Sequence, residues 1–179
     1  EKKRVIAAAR VLEWHDPIAA GLDAVGGLEN LKAWLVSRAA ARTPEARAYG
    51  LPAPRGALIV GISGCGKSLT AKCAPTAWGV PLLRLDLGAI LSKFMGESQN
   101  NLRRAFRTIE AIGPCVVWLD EVEKSLAGSG SDASDGGVAA DQLGALLSWM
   151  QERAGEAFVM ATANDVTKLP PEFLRKGRF

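Results

Sequence analysis

Gly61-Ile62-Ser63-Gly64-Cys65-Gly66-Lys67-Ser68 directly follows the apolar run Ala57-Leu58-Ile59-Val60, and that junction decides the fold. The spacing G-x-x-x-x-G-K-S is that of a phosphate-binding loop, whose glycines let the backbone curl until its N–H groups face a polyphosphate. The Lys67 ammonium is expected to reach the β- and γ-phosphates, and the Ser68 hydroxyl to ligate Mg²⁺. A helix starting at this point adds the positive end of its dipole to the same anion site.

Composition bounds the rest. With 179 residues, 48% of them hydrophobic, the chain can bury one α/β core and little more. A net charge of +3 is too small to point toward nucleic acid. No apolar stretch approaches membrane-spanning length, and no signal peptide is visible. Cys65, Cys73 and Cys115 form neither a C-x-x-C pair nor a disulfide framework, which suits a reducing compartment. The chain opens on Glu1 and stops at Arg178-Phe179 within a motif, so it reads as a piece of a longer protein.

Residues 1–24 read as a mixed lead-in, in which the lone His15 has no metal-ligating neighbours. Leu28, Leu31 and Leu35 predict a helix over about 28–42. A helix is expected from Lys67 to near Trp78, kinked or cut short at Pro75, and a strand through Leu82–Leu85. Ser98 can cap a helix whose apolar face is Leu102, Ala105, Phe106, Ile109 and Ile112, with Gly113-Pro114 ending it. Cys115–Leu119 is solidly apolar, as in a strand buried on both faces of a parallel sheet. Residues 127–137 read as a flexible loop, Leu143, Leu146, Leu147 and Met150 as a helix, and Phe158–Ala161 as a fourth strand. Alternating units of this length imply a three-layer αβα sandwich around a parallel sheet.

Chemistry gathers at the strand ends. Asp120 and Glu121 follow Val116–Leu119, where an Asp can hold Mg²⁺ and a second acid can polarise a water for in-line attack. Asn164 ends the fourth strand and can orient that water if this strand lies between the other two; a turn-forming Asn before Asp165 is the plainer alternative. Arg175 and Arg178 offer guanidinium groups suited to phosphate charge developing in a transition state. Arg103, Arg104 and Arg107 form a basic helix face that reads first as solvated surface, since no aromatic residues interleave with the charges.

Six motifs in order resemble an AAA ATPase domain over roughly residues 20–179. They are Asp23-Ala-Val-Gly-Gly-Leu28, the phosphate loop, Ser92-Lys-Phe-Met-Gly-Glu-Ser98, Asp120-Glu121, Thr162-Ala-Asn164 and Leu174-Arg-Lys-Gly-Arg-Phe179. Within that family the strings look most like an AAA protein encoded in cyanobacteria and plastids. The resemblance implies ATP and Mg²⁺, a sheet ordered 5-1-4-3-2, and a large α/β subdomain over 25–179. The family's strand 5 and helical lid would follow Phe179. Val25 and Gly26 would sit at the adenine; Gly61, Ser63, Gly64, Cys65, Gly66, Lys67, Ser68 and Leu69 would bind the nucleotide. Ser68 and Asp120 would hold the metal, Glu121 would activate water, and Asn164 would sense the γ-phosphate.

Further along the resemblance, Arg175 and Arg178 would be arginine fingers serving a neighbouring subunit of a hexameric ring. Phe94 would grip a threaded polypeptide client in the ring's pore. Membrane contact and nucleic acid are not implied, and the location would be cytoplasmic, or the plastid stroma if plastid-encoded. Ser63 and Cys65 replace the family's usual proline and threonine, which backbone phosphate binding does not need. Cys65 near Lys67 has the setting of a lowered thiol pKa, although inert packing is the simpler reading. Two rivals remain open at this point: another P-loop enzyme such as a GTPase or kinase, and an AAA scaffold that binds ATP without hydrolysing it. No N-K-x-D guanine signature follows the Asp-Glu strand.

Overall fold

Five strands carry the core: β1 (Leu12–His15), β2 (Gly56–Val60), β3 (Leu82–Leu85), β4 (Cys115–Leu119) and β5 (Ala157–Ala163). Between them run α1 (Glu29–Ala40), α2 (Pro44–Ala48), α3 (Lys67–Trp78), α4 (Leu87–Leu91), α5 (Glu97–Ile112), α6 (Val122–Leu126) and α7 (Gly136–Glu152). The computed structural model describes Ile6 and residues 11–91, 97–126 and 136–179. Phe94 and residues 127–135 of the expected loop lie outside the described residues, and Gly136 and Gly137 already belong to α7.

The sheet order is β1-β3-β4-β5-β2. From β2 to β3 the strands are parallel and follow the expected order 1-4-3-2. Register places Leu119 beside Ala161 and Val60 beside Ala163, so the carboxyl ends of β4, β5 and β2 share one rim. That rim is where ligands bind in open α/β sheets.

One strand was not anticipated. The stretch read as a lead-in supplies β1, which pairs antiparallel with β3, so the sheet is mostly rather than wholly parallel. Four residues reading Leu-Glu-Trp-His carry too little apolar signal to announce a strand. The pairing shows in three dimensions instead: Glu13 stands opposite Arg84 and accepts from its guanidinium at 3.3 Å, a cross-strand ion pair.

Side-chain alternation along the strands explains the three layers. Val116, Trp118, Phe158 and Met160 face Leu35 of α1 and Ala71, Cys73 and Ala74 of α3. Val117, Leu119, Val159 and Ala161 face Leu102 and Ile109 of α5 and Leu146 and Met150 of α7. Both faces are covered, which is why β4 reads as an unbroken apolar run.

Two helix expectations need correction. Ser98 does not cap α5, which already starts at Glu97. Pro75 does not end α3 early: it is buried inside a helix that continues to Trp78 and stops at Gly79 in the left-handed region, φ 63°. The same turn packs on the segment before α1: Ile18 N–H donates to the Lys72 carbonyl (3.4 Å) and the Thr76 hydroxyl donates to the Ile18 carbonyl (2.7 Å). Burial of the Pro75 ring in this packed turn is the tertiary contact that offsets its helix-breaking tendency.

Arg153 fastens the end of α7 to the sheet. Its guanidinium donates to the carbonyls of Ala157 (3.1 Å), Met150 and Arg55, satisfying the helix C-terminus and the start of β5. Burial, then the neighbouring Arg55 charge, bring its pKa down to about 10, so it stays a cation at neutral pH. Arg153→Met keeps the volume but leaves buried carbonyls short of donors. It is expected to cost about 2–3 kcal/mol, read as a lowered urea midpoint with an unchanged slope.

Candidate active site

The phosphate-type loop is formed between β2 and α3 as the glycine spacing requires. Gly64 and Gly66 take φ of 82° and 89°, values that side chains oppose, and Gly66 stands at the N-terminus of α3. Gly61 N–H donates to the Ala163 carbonyl at 3.1 Å, which anchors the loop to the rim of β5. A helix of 12 residues therefore points its N-terminus at the cradle.

Lys67 is buried beneath this loop. Its ammonium donates to the carbonyls of Gly61 (2.7 Å) and Ile62 (2.7 Å) and to Asn164 Oδ1 (2.9 Å). Ser68 Oγ donates to Asp120 Oδ1 at 2.8 Å. A hydroxyl and a carboxylate meeting in this way are hard oxygen ligands that fit Mg²⁺, which completes its shell with phosphate oxygens and water. Among the described residues no group of three or more His, Cys, Asp and Glu forms a self-sufficient metal cage.

Glu121 occupies a strained position. It is one of two non-glycine residues described with positive φ, at 47°, a cost of about 1–2 kcal/mol. Three contacts hold it: its N–H donates to Thr162 Oγ1 (3.0 Å), Lys124 Nζ lies 2.7 Å from its Oε2, and Asn164 Nδ2 donates to its Oε1 (3.2 Å). The Lys124 hydrogen bond first, then that from Asn164, hold its carboxyl below the usual carboxylate range, so it is ionised at neutral pH. Its carboxylate is available to accept a proton from a water hydrogen-bonded to it.

Asn164 joins these groups. Its side chain contacts Lys67, Glu121 and Glu123 at once, while Asp165 forms the turn instead, its Oδ1 accepting from Thr167 N–H at 3.0 Å. Sequence reasoning missed Glu123 and Thr162. Thr162 Oγ1 donates to Asp120 Oδ1 (2.7 Å) while accepting from Glu121, so one hydroxyl aligns both acids. The available signals were a third acid within one turn of Asp120 and a hydroxyl two residues before Asn164. The expected strand order already made β4 and β5 neighbours; the side-chain contacts across them are what the order alone does not give.

The remaining expected residues fall around this centre or away from it. Val25 is buried, with its N–H on the Leu22 carbonyl, and Gly26 is exposed. Leu28 Cδ1 comes within 3.9 Å of where a Gly66 Cβ would stand, so this segment flanks the loop. Ser63, Gly64 and Cys65 are exposed in the loop, and Leu69 is partly exposed on the first turn of α3. Cys65 Sγ lies 3.8 Å from Lys67 Nζ.

Among the described residues no hydrogen bond or ion pair joins Arg175 or Arg178 to this centre. Phe179 packs its ring edge against Gly56, the start of β2, whereas the phosphate-type loop leaves the other end of that strand. At about 3.3 Å per residue the two ends are roughly 13 Å apart. Arg175 is exposed, whereas Arg178 is buried and its Nε and Nη1 have no hydrogen-bond partner among the described residues. Asn100, Arg103, Arg104 and Arg107 line a shallow groove on the outer side of α5.

Comparison with known proteins gives a coherent set of likenesses. Residues 57–179 match the model of the ATPase family associated with various cellular activities (AAA). The chain is 44% identical over its whole length to the uncharacterized AAA domain-containing protein ycf46 of Guillardia theta, covering 35% of that protein. It is 42% identical over its whole length to the protein of the same description in Trieres chinensis, covering 36% of it. Peroxisomal ATPase PEX6 of Penicillium chrysogenum is 35% identical over 89% of this chain, which spans 11% of that protein. The chain thus spans about a third of the length of its ycf46 relatives.

Proposed function

Because this chain belongs to the AAA family of ATPases, we propose that it binds ATP with Mg²⁺ and hydrolyses it, within a ring that remodels or threads a protein partner. The observation that carries the reading is the hydrogen-bonded set at the sheet rim, where Lys67, Ser68, Asp120, Glu121 and Asn164 meet through direct contacts. Phosphate cradle, metal-type ligands, base and amide stand together as in-line attack on a γ-phosphate requires.

Each residue then has a task. Lys67 holds the β- and γ-phosphates, exchanging the loop carbonyls it now contacts for phosphate oxygens. Loop backbone N–H groups and the α3 N-terminus bind the remaining phosphate charge. Mg²⁺, when bound through Ser68 and Asp120, would neutralise charge on the phosphates. Glu121 takes the proton of a water that Asn164 orients. Val25, Gly26 and Leu69 contact the nucleoside, and Arg175 and Arg178 serve a neighbouring copy.

The ring and its client are supported by family membership alone. Phe94 is where we place the grip on a polypeptide. Among the described residues no helix is long and apolar enough to cross a membrane. The cytoplasm, or the stroma of a plastid, is the proposed location.

Purified full-length protein tests the reading by hydrolysis of ATP beside GTP over a protein concentration series. Lys67→Ala is expected to weaken ATP binding on the order of 100-fold, since it removes a buried charge-assisted contact. Retained affinity in that variant, or binding by the wild type with no turnover, would refute the proposed ATPase mechanism.

A further inference from the structure

We propose that Glu123 is a positioning residue for hydrolysis: it sets the orientation of the Asn164 amide and through it the attacking water. The inference rests on the ATPase reading of the same site. Glu123 lies on the first turn of α6 and is 4% exposed. One of its oxygens, Oε1, accepts both the Asn164 backbone N–H (3.1 Å) and its side-chain Nδ2 (2.7 Å). That pair of bonds holds the end of β5 and the amide group by one atom.

The orientation of the amide follows from charge. Asn164 Nδ2 has two hydrogens, and it lies against the carboxylates of Glu123 and Glu121; Oδ1 faces the Lys67 ammonium. A rotated amide would set its oxygen against two carboxylates and its NH₂ against a cation. Glu121 at 3.2 Å is the weaker of the two acceptors and partly exposed, so it cannot fix the amide alone. Glu123 makes the shorter contact and does so from within the fold.

Stability accounts for Glu123 Oε1, which satisfies two Asn164 donors, but not for its second oxygen. Its Oε2 is buried and has no hydrogen-bond partner among the described residues. Half-satisfied buried carboxylates are costly, and apolar or neutral replacements are often as stable. A residue with that cost, bonded to the amide between the phosphate-type loop and Glu121, has a reason to be there in the geometry of the site.

The test uses full-length protein and five variants, one of them a double. Glu123→Met, similar in length but unable to accept, is expected to lower kcat about 10- to 100-fold, the usual effect of misplacing a reacting group by about 1 Å. Affinity for ATP should stay within about threefold, because Glu123 touches no phosphate-binding group. Glu123→Gln, which keeps an acceptor at the same reach, should retain at least about tenfold more of the rate than Glu123→Met. In the Asn164→Ala background, Glu123→Met should cost nothing further, since it acts only through that amide.

Wild-type turnover in Glu123→Met, or a full additional loss in the Asn164→Ala background, overturns the proposal. Should Glu123→Met melt early, Glu123→Asp keeps the charge one methylene short of Asn164 and is expected to lose rate in the same way. A readout independent of activity is the ¹⁵N–¹H side-chain signal of Asn164 in asparagine-labelled protein. It should move in Glu123→Met, and an unmoved signal overturns the proposal even if the wild type proves not to hydrolyse ATP.

Discussion

Glu121→Gln is expected to lower kcat for ATP hydrolysis about 10²–10⁴-fold, the range for losing a general base, while ATP affinity changes by no more than a few-fold. The separation follows from where the contacts lie. Glu121 bonds Thr162, Lys124 and Asn164, and none of these contacts belongs to the cradle formed by Gly61–Gly66 and Lys67. Glutamine has the same shape, so the backbone at φ 47° and its bond to Thr162 remain. What is lost is the anionic oxygen that accepts a proton. The Lys124 ammonium, now 2.7 Å from that oxygen, then faces a neutral amide. Rapid-quench turnover with nucleotide binding measured on the same sample checks both halves. Wild-type turnover in Glu121→Gln would remove this carboxylate from the mechanism.

Much of this was legible in the sequence wherever the signal is local. The glycine spacing from Gly61 to Gly66 predicts a loop, and the loop is formed, with positive φ at Gly64 and Gly66. The apolar run of β4 foretold burial on both faces, and the helical spacing of Leu102, Phe106 and Ile109 foretold the buried side of α5. What was missed depends on pairing between distant segments. β1 exists because Glu13 meets Arg84 and Leu12 meets Leu85 across 71 and 73 residues of chain. Glu123 and Thr162 become site residues through side-chain contacts between β4, α6 and β5, which the expected strand order does not specify. Of the two outcomes expected at Pro75, an early helix end does not occur, since α3 runs on to Trp78 with the proline buried in its packed turn.

Arg175→Ala is expected to slow hydrolysis about 10³- to 10⁵-fold, the worth of an arginine finger, with ATP affinity and thermal stability unchanged. The side chain is exposed, so nothing packed is lost. Its segment follows β5, and four residues further on Phe179 lies beside Gly56 at the start of β2. In the proposed reading this guanidinium acts on the phosphate bound by another copy. This gives a test that activity loss alone does not. Arg175→Ala and Glu121→Gln proteins should each be nearly inactive, yet a mixture should regain part of the wild-type rate. In some mixed interfaces an intact Arg175 meets an intact Glu121. Specific activity of the wild type should also rise with concentration as copies assemble. Arg178 must be read with a melt alongside, because it is buried and its Nε and Nη1 have no partner among the described residues. Loss of rate at an unchanged Tm assigns it to the shared site, and loss of both assigns it to packing. No recovery on mixing, together with activity that stays flat across the concentration series, would place Arg175 outside catalysis between copies.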